Sequence, residues 1–149
     1  MFLDKKIREL EQVLKEVPKE TERVVLRNKD KILDFIREKQ LYEQGIDGNG
    51  NKLLQYKPFT VAFKRQKGQP TDRTTLFDTG EFYKGFDLIY TDQNSIGVFS
   101  RDEKAPELLE KYGYSVMQFT AENNKIINEQ IIETQLLEWL TKQKVFTQI

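Results

Sequence analysis

Phe86-Asp87-Leu88-Ile89-Tyr90 and Ser95-Ile96-Gly97-Val98-Phe99-Ser100 are two short runs rich in β-branched and aromatic residues, separated by Thr91-Asp92-Gln93-Asn94. The spacer is made of turn-forming residues, so a β-hairpin is the simplest structure the pattern specifies. Two strands alone bury too little to be stable, which requires a further strand or a helix packed on the pair. The flanking sequence has helical rather than alternating periodicity. The expected fold class is therefore α+β, with long helices packed against a small antiparallel β-sheet and a C-terminal helix closing the chain.

Upstream, Leu3, Ile7, Leu10, Leu14 and Val17 fall at spacings of four and three and draw one stripe down a helix. Asp4 and Lys15 sit at the ends that suit the helix dipole, and Pro18 is the expected stop. This amphipathic helix, residues 1–18, is expected to rest on its own core or to extend to a neighbouring subunit. A second helix is expected after Thr21, with Val24, Val25, Ile32, Phe35, Ile36 and Leu41 inward and Lys29, Lys31, Asp34, Arg37 and Glu38 outward. Gly45 ends it, since glycine reaches the left-handed conformation that closes helices.

Asp47, Asn49 and Asn51 alternate like the opening of a calcium loop, but the sixth and twelfth positions hold Lys52 and Pro58 instead of glycine and an acid. Turn chemistry accounts for the same residues. Between Tyr56 and Arg73, Lys57, Lys64, Arg65, Lys67 and Arg73 face only Asp72 in opposition, with Tyr56, Phe59 and Phe63 interleaved. Gly68-Gln69-Pro70-Thr71 reads as an exposed, mobile loop. In Leu76 to Phe86, Asp78 or Thr79 is expected to cap a short helical turn over Glu81 to Lys84 that Gly80 enters sharply, while Phe82, Tyr83 and Phe86 supply buried mass.

After the hairpin, Ala105 to Lys111 reads as a short helix with Pro106 in its first turn, stopped by Gly113. The last helix begins with Thr120 as N-cap and carries Ile126, Ile127, Ile131, Ile132, Leu136, Leu137, Trp139 and Leu140. These cover most of the helical circumference, more than one core-facing stripe needs. Ile127, Ile131, Leu136, Trp139 and Leu140 are accordingly the expected subunit interface.

The 149 residues form a single domain, 1–149, long enough to bury one core. Lys plus Arg equals Asp plus Glu at 24 each, so no global field draws the chain onto nucleic acid or an anionic membrane. Apolar runs fall short of the roughly 18 residues a membrane span requires, and the first residues lack the order of a secretory signal; no membrane association is expected. Cysteine and histidine are both absent, which removes thiolate nucleophiles, imidazole bases and the common zinc ligand sets. Glycine-rich phosphate loops are absent too. The expectation is a protein that is not an enzyme and has no cofactor or metal.

The order of features is informative. A long helix ending in phenylalanine, a glycine-rich turn, an aromatic and proline segment, a basic loop, then Leu76-Phe77-Asp78-Thr79-Gly80 and a hairpin resembles the phage virion morphogenesis (tail-completion) family of Mu-like tailed phages. The likeness runs on through Lys104-Ala105-Pro106, Glu110-Lys111-Tyr112-Gly113 and Phe119-Thr120-Ala121-Glu122-Asn123, covering Ile32 to Leu140. Two positions depart from it: Leu53-Leu54-Gln55-Tyr56 stands where the family has a tryptophan, and Leu108-Leu109-Glu110 where it has a histidine. The resemblance implies a neck or head-tail joining subunit, made in the host cytoplasm and carried in the virion. Such a subunit forms a homo-oligomeric ring, contacts other head-tail or tail proteins, and catalyses nothing. Asp78, Thr79 and Gly80 are then the family motif, and Lys64, Arg65, Lys67 and Arg73 a DNA-facing or seating loop in non-specific contact with DNA in the channel.

Two other classes compete. One is a small nucleic-acid-binding module built on the basic 56–73 segment, with Phe63 or Tyr56 stacking on bases. The other is a carboxylate hydrolase using some of Asp78, Glu81, Asp87 and Asp102 with magnesium.

Overall fold

The computed structural model describes residues 1–147. Helix α1, Phe2–Arg27, is the longest element and runs straight through Pro18. The expected stop is therefore wrong by ten residues, and the break falls at Asn28. A proline inside a helix removes one backbone hydrogen bond and costs about 3 kcal/mol. Leu14 and Pro18 are exposed, where water can replace that bond, and Val24 and Val25 downstream are fully buried and hold the C-terminal half in place. At Asn28 the backbone leaves the helical path (φ −103°, ψ 18°) while its side-chain amide donates to the Val24 carbonyl at 2.7 Å, competing with the ladder.

Helix α2, Lys29–Asp34, continues into a π-wound segment, Phe35–Gln44, which ends at Gly45 in the left-handed conformation as expected. Ile32, Leu33, Phe35, Ile36 and Leu41 are buried and form the centre of the core with Val24, Val25, Val116, Ile127 and Ile131. Strands β1, Phe86–Tyr90, and β2, Ile96–Ser100, form the expected antiparallel hairpin, with Phe86 opposite Ser100, Leu88 opposite Val98 and Tyr90 opposite Ile96. Among the described residues these strands make a two-stranded sheet, and α1 and α2 are what it packs on. Phe86 and Leu88 point into the core, and Ile89 points out.

Between these elements lie α3, Pro58–Gln66, and the single turn α4, Glu81–Lys84. After the hairpin come α5, Ala105–Tyr112, and a 3-10 turn, Tyr114–Met117. The C-terminal helix starts at Thr120, whose hydroxyl accepts from the Asn123 amide at 3.1 Å. It comprises α6, Ala121–Ile126, a π-wound segment, Ile127–Glu133, and α7, Thr134–Thr141. A last turn, α8, Lys144–Thr147, lies back against α1, where Val13 and Val145 are both buried.

Buried polar side chains fix how these pieces meet. Gln40 is fully buried: its amide donates to the Gln118 carbonyl, and its oxygen accepts from the Thr120 backbone and the Asn123 amide, all at 2.9 Å. Asn28 and Gln135 exchange amide hydrogen bonds at 2.9 and 3.2 Å, joining the end of α1 to α7. Asp47 accepts from the Asn49 and Asn51 backbone N–H groups and from the Ser115 hydroxyl, so its oxygens serve a turn rather than a calcium site. Gly48 is required there, because a Cβ would meet the Gln118 backbone at 2.6 Å.

Candidate functional site

The motif region is organised by Tyr56. Its phenolic oxygen accepts from the backbone N–H groups of Thr75 at 3.0 Å and Leu76 at 3.2 Å. That grip holds Leu76 at φ 59°, a left-handed conformation that costs a non-glycine residue roughly 1–2 kcal/mol. Tyr83 closes the other side by donating to the Thr75 carbonyl, and burial raises its pKa. Gly80, at φ 92°, is the N-cap of α4. Neither Asp78 nor Thr79 caps that turn with its side chain, contrary to expectation. The Asp78 carboxylate instead meets the Lys67 ammonium, a charge-assisted bond stronger than a neutral cap, and this holds its pKa below the ordinary value.

The basic stretch is largely consumed by the fold. Lys64, expected to face DNA, is buried on α3; its ammonium donates to the Phe77 carbonyl and lies 4.8 Å from the Tyr56 ring centroid. Lys67 is held by Asp78 over the Phe63 ring. Arg73 donates to the Tyr42 carbonyl and pairs with Asp72. Arg65 alone of the four projects freely from α3. The 68–71 loop also differs from its reading as exposed and mobile: Gln69, Pro70 and Thr71 are half-buried, and the Gln69 amide donates to the Asp78 carbonyl at 2.7 Å. Lys64 and Lys67 thus clasp α3 onto the 76–80 motif, Arg73 is tied to Tyr42 and Asp72, and the four cations do not form one positive surface.

Three of the four candidate acids, Asp78, Glu81 and Asp102, line one cleft together with α3, and Asp87 stands apart from them. Asp87 lies on the hairpin between Arg101 at 2.7 Å and Lys29 at 3.2 Å, and hydrogen bonding to Arg101 and to the Leu88 amide lowers its pKa to about 2. Glu81 pairs with Lys84 on α4. Among the described residues no group of three His, Cys, Asp or Glu side chains could hold a metal ion. No helix among them is long and apolar enough to cross a membrane.

What the surface does carry is apolar. On α3, Phe59 is 80% exposed and stacks on the half-exposed Phe63 with centroids 6.3 Å apart, at the mouth of a cleft of about 420 Å³ that Phe77, Phe82, Leu108 and Tyr112 also line. On α7, Leu136, Leu137, Trp139 and Leu140 border a groove of about 300 Å³ with Val17 of α1. Ile127 and Ile131, expected at a subunit interface, lie in the chain's own core. The wide π turn brings them with Ile132 onto one inward face; Leu136 is half-buried against the same core, Trp139 and Leu140 are half-buried, and Leu137 is exposed. The third surface is the α1 stripe: Leu3, Ile7, Leu10 and Leu14 are all exposed. The alternation of four and three along that stripe was the available signal; composition and circumference pointed to the C-terminal helix instead.

The chain matches no family model, no curated protein and no solved structure.

Proposed function

We propose that the chain is a non-enzymatic assembly subunit of a phage virion, a tail-completion or neck protein that joins head to tail as a ring of its own copies. One observation carries the reading: the α3 cleft and the α7 groove are two unlike apolar surfaces with no lining residue in common. A ring needs such a pair, because a head-to-tail contact joins different patches on adjacent subunits and closes when the rotation divides a full turn. Exposed clusters of large apolar side chains are costly on an isolated protein and mark binding surfaces. The resemblance of the 76–80 motif and its flanking segments to the tail-completion family supports the identity of the ring.

Light scattering after size-exclusion chromatography, followed by electron microscopy of the peak, tests the proposal. Closed particles of several chains are expected, and Phe59→Glu together with Phe63→Glu should dissolve them while leaving the circular dichroism spectrum unchanged. No species larger than a dimer at any concentration, alone or with neck and tail partners, would overturn it.

A further inference from the structure

Leu3, Ile7, Leu10 and Leu14 are 57, 49, 39 and 58% exposed on one face of α1, and the same face continues through Val17, Thr21, Val24 and Asn28. Spacings of four and three alternate along the whole line, which is the 3.5-residue period of a coiled-coil seam. From Val17 onward the seam is covered by the chain's own body: Val17 and Thr21 are half-buried and Val24 is fully buried. Over Leu3 to Leu14 nothing among the described residues covers it. α8 lies along the opposite side, beside Val13, and leaves the stripe open.

We propose that this open half-seam pairs with the same half-seam of a second copy of the chain, the two α1 helices running antiparallel. Leu3 then faces the partner's Leu14, and Ile7 faces the partner's Leu10; with the symmetry mates, all four exposed residues are used in layers that match the two seam positions correctly. Sterics select this direction, since each body occupies the seam beyond Val17 and two parallel bodies would claim the same space. The four side chains offer on the order of 350 Å² per chain, about 700 Å² for the pair. The stems of the flanking charged residues bring this toward the ~1,000 Å² at which specific interfaces begin.

The contact is two-fold, so it joins copies only in pairs and is separate from any head-to-tail ring contact. Either can fail without the other. A ring that also uses it would contain an even number of chains, in two layers.

The absence of native cysteine makes the test direct. Mixing the Leu3→Cys and Leu14→Cys variants under mild oxidation should give a disulfide-linked heterodimer, with little product from either alone. Efficient linkage of the Leu3→Cys variant to itself would mean a parallel pair and would overturn the proposal. Ile7→Glu and Leu10→Glu should each raise the dimer dissociation constant by about 30-fold or more while leaving helicity unchanged, because both positions are exposed in the single chain. A wild-type chain that is monomeric by light scattering at high concentration, or a dimer indifferent to Ile7→Glu and Leu10→Glu, refutes the pairing.

Discussion

Gln40 shows how one residue sets the relation between distant parts of the chain. Its side chain bonds Gln118, Thr120 and Asn123, which lie around eighty positions further on, and every one of those partners is at the start of the C-terminal helix. Truncation to Ala would strand the Gln118 carbonyl and the two donors in a buried site, at a cost of about 2–3 kcal/mol. Urea unfolding of Gln40→Ala should show that loss with an unchanged slope; a change below about 0.5 kcal/mol would mean that water serves the same groups. Asp87 gives a pH dependence of known sign. Its folded pKa of about 2 is below the unfolded value of about 3.9. The unfolded chain therefore binds the proton first, so the stabilisation is fully present above pH ~4 and is lost as the pH falls through about 2. Arg101 is well exposed and Asp87 partly so, which screens the pair and limits its worth to about 1 kcal/mol. Asp87→Asn should remove that amount at neutral pH and flatten the acid limb of the stability curve. An acid limb identical to wild type would show that other carboxylates carry it.

Among the elements, those defined by local signals were legible. The hairpin followed from two β-type runs around a turn, α5 from Pro106 and Gly113, and the start of the C-terminal helix from Thr120. Where competing forces met, the local rule failed. Pro18 should break a helix, but two fully buried valines and a continuous apolar face outweigh one lost hydrogen bond, and the chain turns at Asn28 instead. The π winding at Phe35–Gln44 and Ile127–Glu133 lies beyond a 3.6-residue wheel, and it places Ile127 and Ile131 in the core instead of at a subunit interface. The proline supplies a prediction at this scale. Pro18→Ala restores the backbone donor toward the Leu14 carbonyl on an exposed turn, and should stabilise the chain by about 1–3 kcal/mol in thermal or urea unfolding. A loss of stability would show that the proline shapes α1 in a way the local hydrogen-bond account omits.

At the scale of the whole molecule, the cations and interleaved aromatics of the 56–73 segment suggest one basic surface, and the fold instead engages Lys64, Lys67 and Arg73 within the chain. Which cations were free could not be read from the sequence, because the partners of Lys64 and Arg73, the carbonyls of Phe77 and Tyr42, are backbone groups whose positions depend on tertiary packing. The α1 stripe was legible as a helix face but not as an open one, since its exposure depends on where the body ends. That openness has a thermodynamic consequence. If α1 pairs between copies, the native dimer is favoured by mass action over unfolded single chains. Each tenfold rise in total chain above the dissociation constant then adds about 0.7 kcal/mol per chain, and for a domain of this size the melting temperature should climb by roughly 2 °C. Leu10→Glu should lose the slope while keeping the melting temperature that the wild type shows when dilute, because Leu10 contributes little to its own fold. A melting temperature independent of concentration in the wild type, or a slope that survives Leu10→Glu, would place the association elsewhere on the surface.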